Sequence, residues 1–214
     1  ANQPSPQNTP KDSIIIGVSM GATTPTGATT VRSMRMAVEE INAAGGIGGK
    51  TLVLRVHYGQ NKDAANMDKT IYDLIIGGAV CILSGGGSAN TFRAAQIAIS
   101  KGIMVITAAS TSPRISEFPD NNLVWRTIPS DIFQANAAAD ILFKKKHKTV
   151  GVIAINNTYG TSLASAFTKA FQKTGGKVVA SLSYPDINFY ENFNFKTQLD
   201  SLYARKPSAI YVIS

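Results

Sequence analysis

Residues 79–113 read AVCILSGGGSANTFRAAQIAISKGIMVITAASTSP. Their reading decides the fold. The run 80–83 is short and apolar, as a buried strand is. Three glycines and Ser88 follow, and 88–100 carries apolar residues at helical spacing. A second strand, 103–107, then ends in a loop of small and hydroxyl-bearing residues. Strand, glycine loop, helix and strand in succession describe one unit of a parallel α/β sheet.

The same alternation extends in both directions. Upstream, 13–19 is a β-branched strand, 21–27 a loop, and 28–43 a helix with Val31, Met34, Val38 and Ile41 on one face. Gly45-Gly46 stops it. A strand at 51–57 and a helix at 64–76 follow, the latter ended by Gly77-Gly78. Downstream, a short strand is expected at 123–127, helices at 132–146, 162–173 and 195–204, and strands at 150–155, 177–184 and 209–213. Asn194 is the expected N-cap of the last helix. The strands are continuous apolar runs, which fits sheets covered on both faces. Between 107 and 129 there is no long helix, and the segment holds three prolines. A crossover between two α/β halves fits there. The expected division is a leader at 1–12, a first α/β lobe at 13–128 and part of a second at 129–214.

Composition limits the function classes. The 214 residues are 44% hydrophobic and 16% charged, a globular balance. Net charge is +8, read as an ordinary basic surface. The dense run Lys144-Lys145-Lys146-His147-Lys148 falls at a helix end, where cations complement the dipole. No aromatics interleave with it, so nucleic acid is not an expected partner. No stretch reaches the length of a membrane helix, which leaves peripheral membrane contact at most. The polar, proline-rich start suits a mature exported chain or a tether. The lone Cys81, inside an apolar run, reads as a small buried hydrophobe.

In open parallel sheets, ligands bind at the C-terminal ends of the strands. Two such loops stand out. In the first, 84–91, Gly85 to Gly87 allow close backbone approach. Ser88 is expected to cap the next helix, whose free N–H groups suit a carboxylate. The second is Ala108-Ala109-Ser110-Thr111-Ser112-Pro113, rich in hydroxyl donors and exposed backbone. A plain glycine turn and a solvated Ser/Thr turn are the bland alternatives. Enzyme readings are poorer. Gly17-Val18-Ser19-Met20-Gly21 has the G-x-S-x-G spacing of a nucleophile elbow, but six residues separate it from the helix. No dinucleotide fingerprint follows the first strand. Two histidines and one cysteine, far apart, make no metal site, and no cofactor is implied.

The stretch VEEINAAGGIGGK at 38–50 resembles the first-helix signature of the type I periplasmic binding proteins, in the subfamily of branched-chain amino acid ABC importers. In order there follow the 84–91 loop, GIMVITAASTSP at 102–113, WRTIPSD at 125–131, Tyr159-Gly160, and Asn194-Phe195 through Leu199. The resemblance spans residues 13–214. It implies two doubly wound parallel-sheet lobes joined by a hinge, with the second lobe incomplete. It implies that Ser88 and Thr111 hold a ligand carboxylate, that the Ala109 carbonyl takes an ammonium, and that Tyr159 closes over the ligand. Gly87 and Ser110 complete the expected ligand-binding set. Three positions depart from the family's habit: Thr26 replaces an aromatic, Tyr58-Gly59-Gln60 an acidic pair, and Asn156-Asn157 an aspartate.

The function so implied is non-catalytic capture of an amino acid or similar small polar ligand for delivery to an ABC importer permease. The expected location is periplasmic or otherwise extracytoplasmic, free or lipid-anchored. A ligand-sensing domain of the same fold in a receptor or regulator is the alternative. A serine hydrolase using Ser19 is a remote third.

Overall fold

The computed structural model describes residues 12–21, 25–59, 64–186 and 193–214. The leader up to Lys11, the middle of the 21–27 loop and Gln60 lie outside them, as does the Thr26 side chain. The chain forms two compact units. One comprises Ala1–Gly86, Asn90–Ala109 and Asp120–Thr127. The other comprises Gly87–Ala89, Ser110–Pro119 and Ile128–Ser214.

The first unit is built on a five-stranded parallel sheet. Its strands are β1 (Ser13–Gly21), β2 (Thr51–Gly59), β3 (Ala79–Ser84), β4 (Met104–Thr107) and β5 (Val124–Arg126), in the order β2-β1-β3-β4-β5. Alternate side chains of a strand point to opposite faces. Val18 and Met20 of β1 therefore pack with Val31 of α1 (Pro25–Ala43) on one face. On the other, Ile82 and Val105 meet Ile71 and Leu74 of α2 (Ala64–Ile76) and Ala94 and Ala98 of α3 (Ser88–Ile99). A Cβ at Gly17 would lie 2.9 Å from the Ile82 Cδ1 and 3.2 Å from the Leu74 Cβ, so glycine there lets α2 settle onto the sheet. Covering on both faces explains why these strands read as unbroken apolar runs.

The second unit carries a three-stranded parallel sheet in the order β7-β6-β8, from β6 (Thr149–Ile155), β7 (Lys177–Tyr184) and β8 (Ala209–Ile213). Alternate residues Val150, Val152 and Ala154 of β6 pack against α5 (Asp131–Lys144) and α6 (Thr158–Lys173), chiefly through Leu163, Phe167 and Phe171. Ile153 and Ile155 face the opposite side, where Leu202 of α7 (Lys196–Tyr203) fills the core with Tyr184. Phe167 and Phe171 stack with ring centroids 5.5 Å apart.

Several boundaries differ from the sequence reading, each for a local reason. α1 begins at Pro25 rather than 28, consistent with the fixed φ of proline at a first helical position. α6 begins at Thr158 rather than 162. Its N-cap is Asn157, whose Oδ1 accepts the Gly160 N–H at 3.0 Å. The span between β4 and β5 holds one helical turn, α4 (Arg114–Glu117). α7 begins at Lys196, so its N-cap is Phe195 and not the expected Asn194, which lies one residue earlier; the Asn194 Oδ1 still accepts the Lys196 N–H at 2.9 Å, a bond that turns the chain into the helix. Among the described residues no helix is long and apolar enough to cross a membrane.

Candidate functional site

The glycine loop is shaped by backbone demands. Gly86 and Gly87 adopt φ values of 82° and 93°, in the left-handed half that favours glycine. They turn the chain out of β3 and into α3 within three residues. The loop is anchored beneath by Thr91, whose buried hydroxyl donates to the Ser84 Oγ at 3.2 Å. The loop after β4 is anchored similarly, for the Thr107 Oγ1 accepts the Ala109 N–H at 3.3 Å. Ala108 and Ala109 are exposed, whereas Ser110 and Ser112 are fully buried.

Ser88 departs from its expected capping role. It is the first helical residue of α3, one position past the cap, and is buried. Its Oγ accepts the Ser112 N–H at 3.3 Å, from the loop after β4. An amide donor from that loop thus takes one of the two lone pairs of the hydroxyl. A hydroxyl that accepts one hydrogen bond keeps its own hydrogen to donate.

Thr111 is held from α5. Its Oγ1 donates to the Asp131 Oδ2 at 2.9 Å, while the Asp131 N–H donates to the Thr111 carbonyl at 2.8 Å. Asp131 is 1% exposed and follows the N-cap Ser130, so its carboxylate sits at the positive end of the α5 dipole. With its only hydrogen committed to Asp131, the Thr111 hydroxyl can act on a ligand only as an acceptor. An acceptor at this position suits a donor group.

Tyr159 lies in the first turn of α6, not on a free loop. A Cβ on Gly160 would run into the Ile155 carbonyl oxygen, so glycine allows that turn to sit on the end of β6. Burial pushes the Tyr159 phenol above its ordinary value, and the Asp131 charge adds to the push. Tyr211 of β8 is raised by burial too, and accepts a hydrogen bond from Gln134 Nε2 at 3.3 Å. Both phenols are therefore neutral donors and acceptors at pH 7.

The second unit thus contains Gly87, Ser88, Ser110, Thr111 and Tyr159, and Ala109 belongs to the first. Sequence reasoning missed Asp131, Gln134 and Tyr211 as members of this cluster. Asp131 had one signal, its place directly after a good N-cap at the head of a helix.

The enzyme readings do not survive. Ser19 lies inside β1, 4% exposed, and the strand runs on to Gly21, so there is no strand-to-helix elbow. His57 stands opposite Ser19 on β2, but none of the described hydrogen bonds joins their side chains. Burial raises the Cys81 thiol to about 11, which keeps it protonated and unreactive at neutral pH.

The profile of the periplasmic binding protein family matches residues 14–214. The chain is 29% identical over 144 residues to the leucine-, isoleucine-, valine-, threonine- and alanine-binding protein of Pseudomonas aeruginosa, covering 67% of this chain and 38% of that one. It is 30% identical over 166 residues to the Leu/Ile/Val/Thr-binding protein of Salmonella typhimurium, covering 77% and 45%. It thus spans less than half the length of either relative. Its fold matches the branched-chain amino acid transporter substrate-binding protein of Streptococcus pneumoniae in complex with isoleucine. The TM-score there is 0.75 at 21% identity, over 94% of this chain and 56% of that one. A family match across both sheets, the named relatives and the shared fold lead to one conclusion: the chain belongs to the type I periplasmic binding proteins of the branched-chain amino acid class, which are binding proteins and not enzymes.

Proposed function

We propose that this chain is the ligand-capturing part of an extracytoplasmic solute-binding protein that delivers an amino acid, or a similar small polar molecule, to an ABC importer permease. The observation that carries this reading is the pairing of a buried carboxylate with a loop hydroxyl, Asp131 with Thr111, close in the chain to an exposed run of backbone. The names of the relatives, which bind leucine, isoleucine, valine and threonine, support the ligand class.

In this reading the Ser88 hydroxyl and the first amides of α3 take the ligand carboxylate, at the positive end of a helix dipole. The Ala109 carbonyl and the Thr111 oxygen take the ammonium. Asp131 stands behind Thr111 as its counter-charge. Gly87 and Ser110 shape the loops, and the neutral Tyr159 phenol closes over the ligand. Each charge-assisted hydrogen bond contributes roughly 1.5–3 kcal/mol.

Thermal denaturation of the protein against a panel of amino acids tests the reading. A ligand at 100 times its dissociation constant should stabilise the fold by about 2.7 kcal/mol. No response to any amino acid, amide or small carboxylate would sink it. Asp131→Asn separates the roles: affinity for an amino acid should fall about tenfold or more, and affinity for the carboxylic acid lacking its amino group should hold. Equal losses for both would remove Asp131 from the ammonium subsite.

A further inference from the structure

The run Lys144–Lys148 was a helix-end feature in the sequence. In the fold it is one part of a larger surface. The α5–β6 connection presents Lys144, Lys145, Lys146 and Lys148, all exposed. The α6–β7 connection presents Lys173 and Lys177, and the α7–β8 connection Arg205 and Lys206, also all exposed.

These three connections meet at one edge of the second sheet, because each leads into the N-terminal end of a parallel strand. The Lys177 N–H donates to the Lys148 carbonyl at 2.9 Å, and the Ser208 N–H to the Thr149 carbonyl at 2.9 Å. With strands about 4.8 Å apart, the three loops span only about 10 Å at the backbone. None of the eight cations takes part in a described ion pair; Lys148 instead rests its Nζ 3.3 Å from the centroid of the Phe143 ring.

Helix dipoles do not account for this much charge. The three helix C-termini present about half an elementary charge each, roughly −1.5 in total, against eight positive charges. The edge also carries exposed apolar groups. Ile141, in the last turn of α5, is 55% exposed, and Tyr203, the last residue of α7, is 63% exposed. Cations beside an exposed aromatic and an exposed aliphatic side chain are the composition of a surface that lies against lipid headgroups. Base-stacking platforms interleave several exposed aromatics with the cations, whereas among the described residues of this edge Tyr203 is the one exposed aromatic and Phe143 is half-buried beneath Lys148.

We propose that this basic edge docks the protein on an anionic phospholipid surface, the cations engaging headgroup phosphates while Tyr203 and Ile141 meet the interface. The proposal rests on the extracytoplasmic reading above, since it needs a membrane beside the folded chain.

Sedimentation with vesicles tests it, using phosphatidylethanolamine–phosphatidylglycerol against phosphatidylethanolamine–phosphatidylcholine. The protein should bind the anionic vesicles, and binding should be lost as salt rises towards about 0.5 M, where the screening length is roughly threefold shorter than at low salt. The quadruple variant Lys145→Gln, Lys173→Gln, Lys177→Gln, Arg205→Gln should reduce partitioning by about tenfold or more. It spares Lys148, which rests on Phe143, and Lys146 and Lys206, which have positive φ. A matched variant neutralising Arg32, Arg35, Lys50 and Lys101 of the first unit should keep most of the binding. Equal binding to both vesicle types, or equal losses in the two variants, would overturn the proposal, as would tighter retention on an oligonucleotide than on vesicles. Circular dichroism checks folding, and if the quadruple variant unfolds, the salt series on the unaltered protein decides. The amino-acid thermal shift should be the same in the quadruple variant, so a failed vesicle experiment and a failed ligand screen have separate meanings.

Discussion

The two ends of the second unit's sheet are made of opposite chemistry. At the end where β6 runs into α6 and α5 begins, polar groups are neutral or buried, and they are bonded to one another: Thr111 to Asp131, Gln134 to Tyr211, Asn157 to Gly160. At the other end eight cations stand exposed, and among the described residues none of them forms an ion pair. Helix orientation sorts them. Helix N-termini, with their free N–H groups, gather acceptors such as Asp131 and Asn157, and helix C-termini gather lysines. One end is therefore ordered enough to recognise a small molecule by geometry. The other presents charge without fixed geometry, which suits a broad, fluid partner.

The comparison can be broken most severely at Asp131. Asp131→Ala should cost about 2–3 kcal/mol in urea unfolding, because it strands the Thr111 hydroxyl and removes a buried acceptor; a loss under 0.5 kcal/mol would show that this end is not held by its buried carboxylate. Asn157→Ala should cost about 1 kcal/mol through loss of the α6 cap, with the Tyr159 fluorescence or ring resonances shifting as the first turn loosens. At the opposite end, the quadruple neutralisation of three lysines and one arginine should change stability by less than about 1 kcal/mol, towards greater stability at low salt, since it relieves repulsion. A large loss there would mean that the cations are structural. A last contrast is in alkaline titration. Burial raises Tyr159, Tyr184 and Tyr211, so above the ordinary tyrosine value of 10 the unfolded chain releases protons first. Stability conferred by the protonated phenols is complete below pH 10 and declines as pH rises through the raised folded values. Tyr159→Phe should flatten that decline in pH-dependent unfolding.

The alternation of elements was legible because each apolar run is bounded by a glycine or polar stop. Helix α2 and strands β7 and β8 begin and end where the pattern puts them. The first turn of α6 was not legible. Thr158, Tyr159 and Gly160 carry no apolar period, and the turn exists because Asn157 caps it and Gly160 fits against Ile155. The loops after β3 and β4 could be chosen from strand-end position and composition alone. Which atom of Thr111 faces outward could not, since it depends on a carboxylate 20 residues further on. The basic edge was equally hidden. Only Lys144–Lys148 is dense in sequence, and the other cations join it through parallel topology, which brings the start of every strand to one side.

One bond in the second sheet ties these points to the way the unit opens. Among the described residues, β7 and β8 each pair with β6 and not with one another. Yet the Tyr184 hydroxyl, at the end of β7, donates to the Ile213 carbonyl, at the end of β8, at 3.1 Å. That bond closes a ring around the tip of β6. Neither outer strand can peel away without straining the other, so both should exchange their amide hydrogens in a single cooperative opening, as one foldon rather than two fraying edges.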